Sequence, residues 1–211
     1  MDALSRSSVA QALLNRLTEK LDLGDDPALE PTPLIHFLVG LTIVLQGVIV
    51  IDRQIHWTEE QLFREILGQF WEPGSLVERQ ITALMTVIKA EQFYLDPSIL
   101  DSLRESLSPE EKRLILALGW SLSAVDGHTE LRETLYLQNI AQRLQISSEE
   151  LSLLQSGFTP LDPLDPLNAD RLSQLRAALS PVSLDTISPV LSKVALQLLA
   201  PLEKRLRPLD Q

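Results

Sequence analysis

The chain has 211 residues and a formal net charge of −11, with 45% hydrophobic residues, 22% charged residues and no cysteine. This hydrophobic content is sufficient for a buried core and excludes an intrinsically disordered chain. The negative charge argues against nucleic acid as a partner and favours cations or basic protein surfaces. The absence of cysteine excludes disulfides, thiolate zinc sites and iron–sulfur clusters, and it is typical of a reducing compartment.

In the N-terminal segment no apolar stretch leads to a small-residue cleavage site, so we expect no secretion signal. We therefore expect a cytoplasmic protein. The first predicted element is an amphipathic helix near residues 7–22, which together with its linker forms the predicted region 1–32.

An apolar run from Pro33 to Ile51 follows, and its length is close to that needed to cross a bilayer. It contains the polar residues His36, Thr42 and Gln46, and its upstream flank is acidic. These features favour a helix buried in a protein core over a membrane span. Peripheral association with a membrane stays open.

Helix signals continue along nearly the whole chain, and strand signals are almost absent. Capping-box patterns, Ser/Thr-x-x-Glu/Gln, begin at Thr58, Ser75, Ser108 and Ser147. We therefore predict an all-α fold. The predicted helices lie near residues 7–22, 34–51, 58–70, 76–92, 97–106, 109–125, 130–144, 148–156, 169–179 and 189–206.

A proline-rich segment at residues 157–168 marks the best candidate boundary. Its prolines stand at every third position (Pro160, Pro163 and Pro166), which suits an extended connector and prevents a continuous helix. The chain is thus expected to contain a helical domain at 33–156 and a C-terminal helical tail at 169–211. We expect this tail to dock, on this chain or on another.

The sequence also matches itself at an offset of 74 residues. In the first copy an apolar helix ends at Asp52 and Glu59 follows in the next helix. In the second copy the corresponding residues are Asp126 and Glu133. The apolar positions of the following helices pair without a gap, which predicts two halves of similar structure.

The paired acids are candidate metal ligands. Asp52, Glu59, Asp126 and Glu133 offer hard oxygen donors suited to Ca²⁺, Mg²⁺ or Mn²⁺, and Zn²⁺ also accepts carboxylates. Additional candidates for the same coordination sphere are Glu60, His128 and Glu130. The alternative is purely local: the Asp-Gly pair at 126–127 forms a turn, and the glutamates favour helix N-termini through the dipole.

These features together resemble a known family. Residues 124–127 read Ala-Val-Asp-Gly at the end of an apolar helix, and Glu130 and Glu133 follow. A helix with the pattern Ile-Ala-x-x-Leu then covers 140–144, and a Ser-x-Glu-Glu start comes at 147–150. This arrangement resembles the TerB-like (tellurite resistance) family, which is related to the N-terminal domain of DjlA-type co-chaperones.

The resemblance covers roughly residues 33 to 156. It implies an all-helical fold of two similar halves, an acidic cluster for a divalent metal, and a link to tellurite-type chemical stress and to membrane-associated assemblies. The residues that match its motif, directly or through the repeat, are Asp126, Glu133, Asp52 and Glu59. Arg53 stands where the pattern has glycine and places a cation beside the acid of the first copy.

A second alignment of the two halves would pair Thr58 with Thr129 as helix caps. It shifts the offset by three residues and substitutes Glu60 or Glu130 for the paired glutamates. The sequence leaves both alignments open.

Catalytic motifs are absent from the sequence: the three histidines do not form a His-Glu-x-x-His pattern, and there is no nucleophile elbow or phosphate loop. We therefore expect a non-enzymatic, stress-related module that binds a divalent metal and has a protein partner. The alternative is a metal-free adaptor that docks a protein or a membrane-associated complex through its acidic face or its tail. A homodimer also stays open.

Overall fold

The structure, a computed structural model, describes residues 11–17, 19, 32–52, 56–125, 130–158, 168–179 and 188–206. Within these ranges the fold is all-α and contains no strand, as predicted. The helices are α1 (11–17), α2 (Pro33–Ile51), α3 (Trp57–Leu67), α4 (Leu76–Glu91), α5 (Pro97–Ser106), α6 (Pro109–Ser123), α7 (Leu131–Arg143), α8 (Ser148–Phe158), α9 (Asn168–Leu179) and α10 (Ser188–Leu206).

Helix α2 forms the centre of the core. By length and composition it could cross a membrane, but 78% of its most apolar stretch is buried inside the protein. The buried Thr42 donates its hydroxyl to the Leu38 carbonyl at 2.7 Å, so this polar group is satisfied within the helix. Burial on nearly all sides explains the uniformly apolar sequence of α2.

The other helices pack around α2. Helices α4, α6 and α7 contact it directly, and α6 is in turn packed against α3, α7 and α8. Helix α6 is buried almost throughout its second half. The two most buried helices, α2 and α6, therefore lie side by side, and α3 and α7 are placed against them.

Most helix boundaries follow the expected local chemistry. Ser75, Ser108 and Ser147 each accept a hydrogen bond from the backbone N–H three residues on, at 3.2–3.3 Å. The cap predicted at Thr58 is wrong, because α3 begins at Trp57 with His56 as its N-cap. Helix α3 also ends at Leu67 rather than at residue 70.

A short 3₁₀ helix at Phe93–Leu95 was not predicted. It follows Gln92, which ends α4 in a left-handed conformation with φ of 54°. Glutamine rarely adopts this conformation, so the sequence carried no signal for the stop.

The C-terminal tail packs on the rest of the chain. Helix α9 contacts α6 and α8, and α10 contacts α6 and α9. The side chains of Leu175, Leu179, Leu191, Val194 and Leu199 are buried there. The central part of the predicted proline-rich connector, residues 159–167, lies outside the described residues.

A candidate metal site built from paired carboxyls

Helices α3 and α7 begin in the same way. The backbone N–H of His56, the N-cap of α3, donates to Glu59 Oε2 at 3.4 Å. The backbone N–H of Glu130, the N-cap of α7, donates to Glu133 Oε2 at 3.1 Å. Each glutamate therefore binds back to the start of its own helix, which fixes its rotamer and satisfies one free backbone donor.

Tertiary packing brings the two glutamates together. Helix α3 packs against both α2 and α6, and α7 packs against the same two helices. The side chains of Glu59 and Glu133 then meet and share a hydrogen bond. The residues are only 4% and 1% exposed, so this contact lies inside the protein.

The contact requires a proton, because two carboxylates cannot hydrogen-bond to each other. Burial, the main cause, and the neighbouring Glu59 and Asp52 raise the pKa of Glu133 to about 8. Burial also raises the pKa of Glu59 above its usual value. At neutral pH Glu133 therefore keeps its proton and can donate it to Glu59.

Asp52 lies near this pair and adds negative charge. It is the C-cap of α2, and its carboxylate raises the pKa of both glutamates through electrostatic repulsion. The guanidinium of Arg132 donates to the backbone carbonyl of Asp52 at 3.5 Å, which ties the start of α7 to the end of α2. The charge of Asp52 thus acts on both Glu59 and Glu133.

The additional candidates are placed differently. Glu60 is exposed and pairs with Arg64 on the same helix at 2.8 Å. The exposed Glu130 serves as the N-cap of α7. Asp126 and His128 lie outside the described residues. Across the ranges that the structure describes, no three acidic or histidine side chains converge as a complete set of metal ligands.

Two structural roles in this region were not predicted from the sequence. His56 is the N-cap of α3, although histidine is rarely found at this position. Arg132 bonds to the Asp52 carbonyl, a contact that only the tertiary fold creates. The two N-caps are 74 residues apart, as are the two glutamates. The alternative alignment through Thr58 is therefore wrong as a pairing of helix starts.

The family described as "Tellurite resistance protein TerB" matches residues 39–156 of this chain. No curated protein and no solved structure matches. The matched segment runs from within α2 to within α8 and contains the paired glutamates. It covers more than half of the 211 residues, and the fold is all-helical throughout the described part. The chain belongs to the tellurite resistance protein TerB family.

Proposed function

We propose that the paired carboxyls hold a divalent cation, in a non-enzymatic module linked to tellurite-type chemical stress. The single observation behind this proposal is the buried contact between Glu59 and Glu133. Burying two acidic groups against each other is unfavourable, and a protein that retains such a pair has a ready position for positive charge.

The donor set fits a hard cation. Two carboxyl groups supply oxygen ligands, and Asp52 adds a negative charge close by. Asp126 completes the proposed set, since it occupies in the second half the sequence position that Asp52 occupies in the first.

A bound cation would replace the proton that the Glu133 carboxyl holds. The carboxyl of Glu133 holds its proton at neutral pH, whereas a metal ligand must be deprotonated. Cation binding therefore releases a proton and strengthens as the pH rises towards 8. The backbone bonds from His56 and Glu130 keep both side chains in position during this exchange.

We also propose that the two halves are copies of one unit. Helices α2 and α3 are followed at a distance of 74 residues by α6 and α7, with equivalent N-caps and equivalent glutamates. A site formed where two copies meet takes one ligand from each, which accounts for the position of Glu59 and Glu133.

The test is calorimetric titration of the full chain with Ca²⁺, Mg²⁺, Mn²⁺ and Zn²⁺. We expect at least one cation to bind with proton release, measured in two buffers of different ionisation enthalpy. Binding should be lost in Glu59→Gln/Glu133→Gln and weakened at least tenfold in Asp52→Asn/Asp126→Asn. The matched control, Glu72→Gln/Glu149→Gln, removes two exposed acids and should bind like the wild type. Equal binding by the first variant and the control, or no binding at all, would contradict the proposal.

A second candidate function is that of a metal-free adaptor. Trp57 and Leu131, the first residues of α3 and α7, are 72% and 70% exposed, although large apolar side chains are normally covered. A photo-crosslinking residue at position 131 should capture a protein partner in the host cell, whereas the exposed position Thr82 on α4 should not. Equal capture at both positions would contradict the adaptor.

A further inference from the structure

A cleft of about 590 Å³ lies between α7, α5 and the 3₁₀ helix at Phe93–Leu95. Its lining includes the apolar side chains of Ile51, Leu95, Leu100 and Leu135 and the rings of Tyr94 and Tyr136. Leu95 is 50% exposed and Leu135 is 55% exposed, so two leucines of the rim face solvent. Exposed leucines at the rim of a cleft are a feature that binding grooves share.

The charged lining of this cleft is entirely basic among the described residues. Arg132 and Arg143 lie at it, and no carboxylate does. Neither arginine forms an ion pair within the described ranges: Arg132 donates to a backbone carbonyl, and Arg143 donates to the neutral side chain of Asn139 at 3.2 Å. Asp101, in the adjoining depression, is already paired with Arg104 at 3.4 Å. In a chain with a net charge of −11, this is a local site of opposite charge.

Three of the lining residues, Leu135, Asn139 and Arg143, lie along α7 in a row that begins at Leu131. Leu131, Leu135, Asn139 and Arg143 follow each other at four-residue intervals, which places them in a row along the helix. The row extends over about 18 Å at 1.5 Å per residue. A row of this length, with an arginine near each end (Arg132 and Arg143) and leucines along it, fits a segment of regular structure better than a compact small molecule.

We propose that this cleft binds an amphipathic helix of a partner protein, whose apolar stripe is flanked by carboxylates. Its apolar side chains, spaced at three and four residues, pack against Leu95, Leu131 and Leu135. Its carboxylates pair with Arg132 and Arg143, for which bidentate geometry is available. Charge complementarity selects an acidic helix over a basic one.

This inference rests on the adaptor function proposed above and names the partner class of that surface. The cleft and the candidate metal site are next to each other: none of the paired carboxyls lines the cleft, and Arg132, which does, is bonded to the Asp52 carbonyl. Experiments can distinguish failure of the adaptor function from failure of the acidic-helix assignment. Capture of a partner at position 131, together with failure of the acidic helix described below, would leave the adaptor in place and overturn this assignment.

The experiment selects binders from a display library of 16-residue amphipathic helices whose flanking positions vary among Glu, Gln and Lys. The target is the full wild-type chain. We expect enriched helices to carry glutamate at these positions and to bind in a fluorescence polarisation titration. Enrichment of lysine, or no enrichment, would overturn the proposal.

Two pairs of matched variants test the position of the helix. Leu135→Ala should weaken binding of the enriched peptide at least fivefold, whereas Leu196→Ala should leave it unchanged, since Leu196 on α10 is also 55% exposed. Arg132→Glu/Arg143→Glu should weaken it at least tenfold, whereas Arg64→Glu, on the exposed face of α3, should change it less than twofold.

The charge-reversed variant also supplies a readout that loss of folding cannot imitate. Arg132→Glu/Arg143→Glu should gain affinity for the same peptide with lysine in place of glutamate. Absence of this gain, or equal weakening by the groove variants and their controls, would overturn the proposal. So would light scattering that shows a dimer of the chain dissociated by Leu135→Ala, because a second copy would then cover the cleft.

Discussion

Glu59 and Glu133 are 74 residues apart in the sequence, and their buried side chains share one hydrogen bond at the meeting point of α3 and α7. Each also accepts a hydrogen bond from the N-cap of its own helix. The same two carboxyls therefore cap the starts of α3 and α7 and link these two helices to each other. The proton on Glu133 makes the hydrogen bond between the two helices possible, while the same side chains cap the helix starts.

The first prediction concerns the pH dependence of stability. The pKa of Glu133 rises from its usual 4.5 to about 8 in the folded protein, so the folded state retains a proton that the unfolded chain releases between these values. The free energy of unfolding should therefore decrease as the pH rises from 4.5 to 8. Urea denaturation at a series of pH values measures this slope.

Replacing Glu133 by glutamine should reduce the slope, because the amide keeps a hydrogen-bond donor and cannot ionise. We expect the variant to match the wild type near pH 5 and to exceed it by a few kcal/mol above pH 8. Glu65→Gln, an exposed change on α3, serves as the control and should retain the wild-type slope. An unchanged slope in Glu133→Gln would show that the pair does not hold the proton.

The second prediction concerns the hydroxyl of Tyr136. This group is buried without a hydrogen-bond partner in the described part of the protein, and burial raises its pKa. An unsatisfied buried hydroxyl is destabilising, so Tyr136→Phe should raise the free energy of unfolding by about 1 kcal/mol. Tyr94→Phe is the control and should change it by less than about 0.5 kcal/mol. Loss of stability in Tyr136→Phe, measured by urea denaturation, would contradict this reading.

The third prediction concerns the close packing of α7 on α2. The ring and hydroxyl of Tyr136 occupy the space that a β-carbon at Gly47 would need. Gly47→Ala should therefore lower the free energy of unfolding by roughly 1–3 kcal/mol, although alanine favours helices. At Gly40 the nearest atoms are the flexible ends of Leu103 and Leu107 at 3.2 Å, so Gly40→Ala should cost less. Thermal denaturation of both variants compares them, and the reverse order would contradict the packing.

The sequence predicted the elements whose causes are local. The apolar pattern of 33–51 and the serine caps at Ser75, Ser108 and Ser147 identified helices that the structure contains. The start of α3 was misplaced because His56 is not a typical cap, and the stop at Gln92 was missed because it depends on an unusual backbone conformation. These features depend on context rather than on residue type.

The candidate site also combines features that local sequence predicts with features that depend on the tertiary fold. Glu59 and Glu133 were identifiable from their equal positions in the two halves. Their mutual hydrogen bond and the raised pKa of Glu133 arise only from the packing of α3 and α7 on α2 and α6, which no local pattern encodes. Asp126 stays a prediction, since it lies outside the described residues.

The last prediction concerns the C-terminal tail as part of one cooperative unit. Leu175 on α9 is 1% exposed, and a β-carbon at Gly157 of α8 would approach its Cδ2 to 2.7 Å, so the two helices are in tight contact. Leu175→Ala should lower the free energy of unfolding by about 2–4 kcal/mol because it leaves a cavity between them.

Two probes show whether that loss reaches the whole fold. All three tryptophans precede residue 157, so their fluorescence reports the 33–156 region, whereas circular dichroism reports every helix. We expect both probes to show one transition at the same, lowered urea midpoint in Leu175→Ala, because α9 and α10 are packed on α6. Gln174→Ala, on the exposed side of α9, should leave the midpoint unchanged. If only circular dichroism shifted, the tail would unfold on its own, and its contact with α6 would add little to the stability of the core.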